Sequence, residues 1–293
     1  MNILFLSNNK LSATSGGVER TTFNLLTELS KDNSFSIFAI FLKIPQLIEG
    51  VVCIEDTIRN GRQINDYILK YKIDVVVFPG GPWYTNLLKN YNPNSKCKII
   101  TCLHSPPKAG EDYDIHLLNL EWSQKDIQSK LKDFLHYAYV YFKQPIKVLR
   151  ARRRYHRAYN YSDAFVLLSP SYFKLFKRYA IIKNTDKLFA TGNALSFEKS
   201  FHIKNYNDKK NEVLTVARFD EVSKRISFAI KSWDLIERKN WHFRIVGFGK
   251  AEKMYKSIVT DNKIANISFE GKQDLFNYYK DAKIFLMTSS FEG

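Results

Sequence analysis

Short runs rich in Ile, Val, Leu and Phe recur at residues 2–7, 35–42, 51–54, 74–78, 98–103 and 164–168 of the chain. Most of their residues are apolar, where an exposed strand would be apolar only at every second position. That is the pattern of strands buried on both faces of a sheet. Between them lie stretches with helical spacing: Val18, Thr22, Leu25, Leu26 and Leu29 make one stripe, and 61–71, 83–90 and a long segment within 114–160 read as further helices. Strands that alternate with helices form βαβ units, and those pack as a parallel, doubly wound sheet.

A second series of the same kind occupies 212–217, 241–246, 266–270 and 283–288, with helices near 225–237, 250–260 and 273–281. The stretch 188–208 between the two series is less periodic and polar towards its end. The expected architecture is therefore α/β, with a first Rossmann-like domain over 1–190 and a second over 191–293, facing each other across a cleft. Four strands are few for a unit whose two halves usually supply six. The second domain thus reads as incomplete and the chain as truncated at its C-terminus. No GxGxxG is present, which gives a dinucleotide oxidoreductase little support.

The formal charge of +16 points to an anionic partner: nucleic acid, an anionic membrane face or a phosphorylated substrate. Three cysteines, Cys53, Cys97 and Cys102, show no CxxC or Cys/His metal spacing. Their odd number, without a signal peptide, fits a reducing cytoplasm, with Cys97 and Cys102 as small apolar fillers. No apolar window approaches the ~18 residues of a transmembrane helix, so a cytoplasmic protein, soluble or peripheral on the inner face of the membrane, is expected.

The segment Val213–Arg225, VLTVARFDEVSKR, starts as a buried strand and breaks into a polar turn that carries Arg218 and Lys224. Ser223 reads as an N-cap for an amphipathic run from Ile226 to Ile236. Ligands of open α/β sheets bind beyond the carboxyl ends of the strands. Two cations on such a loop suit a diphosphate; spacing alone leaves open a pair of solvated surface charges.

Several further motifs occur in one order: Ser15-Gly-Gly-Val-Glu-Arg20, Leu103-His-Ser105, Gly192-Asn-Ala194, the Arg218…Lys224 loop, Val246-Gly-Phe-Gly249 and Ser289-Ser-Phe-Glu-Gly293. With these the chain resembles glycosyltransferase family 4, whose fold is GT-B, over essentially its whole length. The resemblance implies a retaining enzyme that moves a hexose from a UDP- or GDP-sugar to a glycan or lipid-linked acceptor in cell-surface polysaccharide biosynthesis, with no metal cofactor. It implies that Arg218 and Lys224 bind the donor diphosphate and neutralise the departing nucleotide, and that His104 works near the transferred sugar. It places the Gly16–Gly17 turn against the diphosphate and sugar, Gly247 and Gly249 near the base or ribose, Gln273 at the base pocket, and Glu292 on the donor sugar. Glu292 would be the first glutamate of a Glu-x7-Glu pair whose second member falls beyond residue 293.

From the residues themselves, Gly16 and Gly17 also fit a ligand-free βα turn, and His104 a hydrogen-bonded structural histidine. Asp112-Tyr-Asp114 matches a DxD metal motif but sits away from the strand ends, so a chance match is expected. The aromatic-rich stretch 134–142 and the arginines Arg150, Arg152, Arg153, Arg154 and Arg157 read either as a solvated helix face or as a site of weak docking on anionic lipid. In that docking, Arg150, Arg153, Arg154 and Arg157 are the expected lipid contacts. Two rival readings of the chain are a non-catalytic or degenerate sugar-nucleotide or glycan-binding protein, and a basic nucleic-acid-binding protein. No RRM, KH or zinc pattern supports the second, so nucleic acid is not expected as a partner.

Overall fold

The structure is a computed structural model that describes residues 1–7, 9–13, 16–41, 46–54, 61–82, 96–193 and 205–290. The chain divides into two compact units, residues 1–111 with 133–196, and residues 112–132 with 197–292.

In the first unit the apolar runs become β1 (Asn2–Ser7), β2 (Ser36–Phe41), β3 (Val52–Ile54), β4 (Val75–Phe78), β5 (Lys98–Leu103) and β6 (Ala164–Leu167). A strand that the sequence reading did not separate from the polar stretch, β7 (Leu188–Ala190), pairs parallel with β6. All pairings in this sheet are parallel, in the order β3-β2-β1-β4-β5-β6-β7. The expected stripes become α1 (Gly17–Leu29) and α2 (Gly61–Lys70); the helix expected at 83–90 lies outside the described residues.

The long segment within 114–160 is two helices, α3 (Ala109–Gln124) and α4 (Ile127–Tyr161). The break falls at Lys125-Asp126, where the Asp126 carboxylate accepts the Ser129 backbone N–H at 2.7 Å and restarts the helix as a cap does. Helix α5 (Tyr172–Ala180) follows β6. It packs Phe176 and Tyr179 against Tyr155, Tyr159 and Phe165, the Phe165 and Phe176 rings being 4.5 Å apart.

The second unit's sheet consists of β8 (Lys210–Val216), β9 (His242–Val246), β10 (Ile267–Gly271) and β11 (Ala282–Phe285), all parallel, in the order β10-β9-β8-β11. Its helices are α6 (Glu221–Lys224), α7 (Ile226–Asp234), α8 (Glu252–Asp261) and α9 (Phe276–Asp281). Helices α7 and α8 bury one face of the sheet through Phe243, Ile245, Ile230, Trp233 and Tyr255. On the other face Arg244 lies 3.0 Å from both Glu212 and Glu270.

Ser223 is not the cap of α7. It lies inside α6 and is buried, because Asp220 opens that short helix and Arg225, with φ of 50°, turns the chain between α6 and α7. The left-handed conformation of Arg225 ends α6 after one turn, which the helical periodicity of side chains does not reveal.

Cys97 is buried in the core, and burial pushes the Cys102 thiol up to about 12, as expected of apolar fillers. Phe165 is fully buried. Phe165→Ala is expected to destabilise the first unit by about 3–5 kcal/mol, from lost apolar contact plus the cavity, read as a lower urea midpoint.

Candidate functional site

Each sheet has a point where the strand order reverses direction, and ligands of open α/β sheets bind beyond the carboxyl ends there. In the second unit this point lies between β8 and β11. The loop after β8 carries Arg218, and the segment after β11 folds against α6, which carries Lys224. Thr288 Oγ1 donates to the Lys224 carbonyl at 3.0 Å, Ser290 N to the Ser223 carbonyl at 2.8 Å, and Thr215 Oγ1 to the Leu286 carbonyl at 2.8 Å. Sequence distance hides this fastening of residues 286–290 onto the basic loop.

The Arg218 loop is rigid for local reasons. Phe219 is fully buried, with its ring edge-on to Tyr255 at 5.5 Å and to Phe269 at 6.1 Å. With Phe219 held inside, Arg218 faces out. The backbone continues the sheet past the strand ends: Ala217 N donates to the Val246 carbonyl at 3.0 Å and Phe219 N to the Phe248 carbonyl at 2.9 Å. A Cβ on Gly247 would stand 1.9 Å from the Ala217 oxygen, and one on Gly249 would stand 2.6 Å from the Phe219 oxygen. Both residues also hold positive φ, 143° and 156°. Glycine is thus required at 247 and 249 by the close approach of this loop, independently of any ligand.

The Arg218 side chain is 71% exposed and reaches the Asp220 carboxylate at 3.3 Å. Asp220 also accepts the Tyr113 hydroxyl at 3.3 Å, and desolvation, followed by the Asp220 charge, raises the pKa of Tyr113. An exposed pair of this kind contributes about 0–1 kcal/mol, so an incoming anion can take the guanidinium at little cost. Lys224 is half-buried on α6. Gln273 is exposed and donates from Nε2 to the Glu270 carbonyl at 2.8 Å. Glu292 lies outside the described residues.

A cavity of ≈410 Å³ opens in the same unit, lined in part by His116, Asn119, Glu221 and Arg225. It adjoins α6, but Arg218, Lys224 and Gly247 are not among its walls. The Glu221 carboxylate there is engaged by the Ser227 backbone N–H and hydroxyl. The cavity therefore lies apart from the basic loop at the strand ends. On α3, Asp112 and Asp114 stand two residues apart on a helix, which turns their carboxylates to different faces. Among the described residues no group of three or more His, Cys, Asp or Glu could hold a metal ion.

In the first unit, His104 follows β5 and Asn193 lies three residues past β7. The two meet over the end of β6, with His104 Nδ1 2.9 Å from Asn193 Oδ1. Asn193 belongs to one of the motifs quoted above, but spacing gave it no role, since its partner is 89 residues away. Burial lowers the pKa of His104, against the opposing pull of the Asn193 bond and the Glu19 charge. With the Asn193 oxygen accepting, Nδ1 carries the proton and Nε2 keeps a lone pair. A neutral His104 therefore accepts a hydrogen bond from a hydroxyl; donation through Nε2 would require the imidazolium that burial disfavours.

Gly16 caps α1 and Gly17 is its first residue. Gly17 has open space where a Cβ would stand, and Gly16 would meet only the flexible end of Glu19. Glu19 accepts the Asn9 side-chain amide at 2.7 Å. Unlike Gly247 and Gly249, these two glycines answer to no packing demand of their own unit.

Residues 196–293 match the family model described as Glycosyl transferases group 1. The chain is similar over nearly its full length to solved GT-B structures. The fold is GT-B. A lipopolysaccharide outer core galactosyltransferase, WaaB in its apo form, superposes with a TM-score of 0.64 at 12% identity, covering 99% of this chain and 74% of that one. Anabaena HepE, in complex with UDP and glucose, superposes with 0.61 at 11% identity, over 99% and 74% of the two chains. WaaG, a glycosyltransferase involved in lipopolysaccharide biosynthesis, gives 0.59 at 12% identity, over 98% and 75%. No curated protein matches the chain in sequence.

Two outcomes follow. Gly247→Ala should destabilise the second unit by at least about 1–3 kcal/mol through backbone strain, whereas Gly17→Ala, at a helical position with open space, should leave the first unit's urea midpoint no lower than that of the wild type. For His104, a pKa held below the unfolded value means that the unfolded state binds more protons below about pH 6.5. Stability should therefore fall as pH drops through that range, and His104→Gln should flatten the fall, as read from denaturation midpoints between pH 7 and pH 5.

Proposed function

We propose that the chain is a family 4 glycosyltransferase that transfers a hexose with retention from a UDP- or GDP-sugar to a hydroxyl of a glycan or lipid-linked acceptor in cell-surface polysaccharide synthesis. The observation that carries this reading is the group 1 match over 196–293, whose span includes Arg218 on its rigid loop at the switch point of the second sheet. Two of the solved structures that this chain is similar to, a galactosyltransferase and a protein in complex with UDP and glucose, support the donor class.

In this reading Arg218 engages phosphate oxygens through two N–H groups of its planar fork, and Lys224 adds a point charge. The bond between the anomeric carbon and the diphosphate oxygen breaks, and the electron pair leaves with the nucleotide. The acceptor hydroxyl oxygen bonds to the anomeric carbon on the same face, and its proton passes to the departing phosphate. The two cations stabilise the charge that develops on that phosphate, so the reaction requires no divalent ion. His104, neutral and anchored by Asn193, takes a hydrogen bond from a sugar hydroxyl and orients the ring.

Thermal-shift titration with UDP-glucose, UDP-galactose and GDP-mannose, followed by assay of nucleotide release, tests the reading. Stabilisation by one of these donors is expected, and the shift should be lost in Arg218→Ala. Turnover in that variant should fall by about 10²-fold or more, and chelators should leave the wild type unaffected. Donor affinity and turnover that survive Arg218→Ala would remove the clamp from the proposal.

A further inference from the structure

Helix α4 is apolar on two opposite faces. One face, with Tyr137, Ala151, Tyr155 and Ala158, is buried in the first unit. At about 3.6 residues per turn, Leu135, Tyr139, Phe142, Ile146 and Leu149 fall together on the other side, and all five are exposed. Leu135 is 79% and Phe142 83% exposed, large apolar side chains where a helix packed on a core carries polar ones on its solvent side. The same stripe runs on into Arg150, Arg153 and Arg157, also exposed. Arg154, grouped with them in the sequence, is half-buried off the stripe, and Arg152 is tied to the carbonyls of Tyr179 and Arg178 at the end of α5.

We infer that this outward face of α4 is a docking surface for an anionic lipid bilayer, with the apolar stripe entering the headgroup boundary and Arg150, Arg153 and Arg157 meeting lipid phosphates. Charge decides between a bilayer and a second copy of the chain. Across Ile127–Tyr161 the helix carries nine Lys and Arg against the single acid Asp133. Pairing two such helices would bring like charges together, whereas an anionic surface neutralises them. The tyrosine on the stripe suits the boundary, where a ring is apolar on its face and wet at its hydroxyl. No helix of the described residues is long and apolar enough to cross a membrane, so the contact is lateral. This inference stands apart from the transferase reading, and either can fail alone.

The test is co-sedimentation of the chain at low salt with vesicles of phosphatidylcholine alone and of phosphatidylcholine mixed with phosphatidylglycerol. The wild type is expected to pellet with the anionic vesicles only. Leu135→Ser/Phe142→Ser should lower the bound fraction about tenfold. Arg150→Gln/Arg153→Gln/Arg157→Gln should weaken binding and remove most of its salt dependence. All five positions are exposed, so unchanged circular dichroism is expected. Wild-type protein that stays in the supernatant with anionic vesicles would overturn the proposal, as would a Ser double variant that pellets like the wild type. A dimer in light scattering that Leu135→Ser/Phe142→Ser converts to monomer would assign the face to a second copy, and would also overturn it.

Discussion

Parallel strand pairing is the constraint on which everything else rests. Where every strand runs the same way, the chain must cross back over the sheet after each one, and every loop that leaves a strand emerges at the same edge. His104 after β5, Gly16 after β1, Arg218 after β8 and Gly247 after β9 all sit at carboxyl ends for that reason. The reversal of strand order on either side of β8 then splays two neighbouring crossovers to opposite faces and leaves the Arg218 loop uncovered.

The sheets were legible because strands buried on both sides have no solvent face to blur their apolar runs. Ten of the strands were expected near where they stand, and β8 begins two residues before its expected start. The three-residue β7 was missed because Leu188–Ala190 is too short to show a pattern and two of its residues are exposed. The two-helix reading of 109–161 escaped because apolar residues continue across Lys125-Asp126 while the backbone turns. Ser223 looked like a cap because the cue is a residue type, but Asp220 opens α6 and α7 starts after Arg225, which leaves Ser223 inside the first of the two helices.

For the site, the basic residues were legible and their supports were not. Phe219 reads as one more apolar residue in sequence, yet its burial is what turns Arg218 outward. Asn193 gains meaning only through His104, a contact that joins the ends of two strands. Gly247 and Gly249 were singled out, and the carbonyl oxygens of Ala217 and Phe219 account for them without a ligand. Gly16 and Gly17 remain glycines whose own unit asks nothing of them.

The fastening of residues 286–290 has a mechanical side. Arg218 is referenced to β9 through the bonds of Ala217 and Phe219, whereas Lys224 is referenced to the segment after β11 through Thr288. The two cations thus hang from strands on opposite flanks of β8, and the β8–β11 register already shifts between Ala282 and Ile284. Any slip of β11 along β8 alters the gap between the cations while each keeps its own supports, so the spacing works as a gauge set by the sheet rather than by either loop.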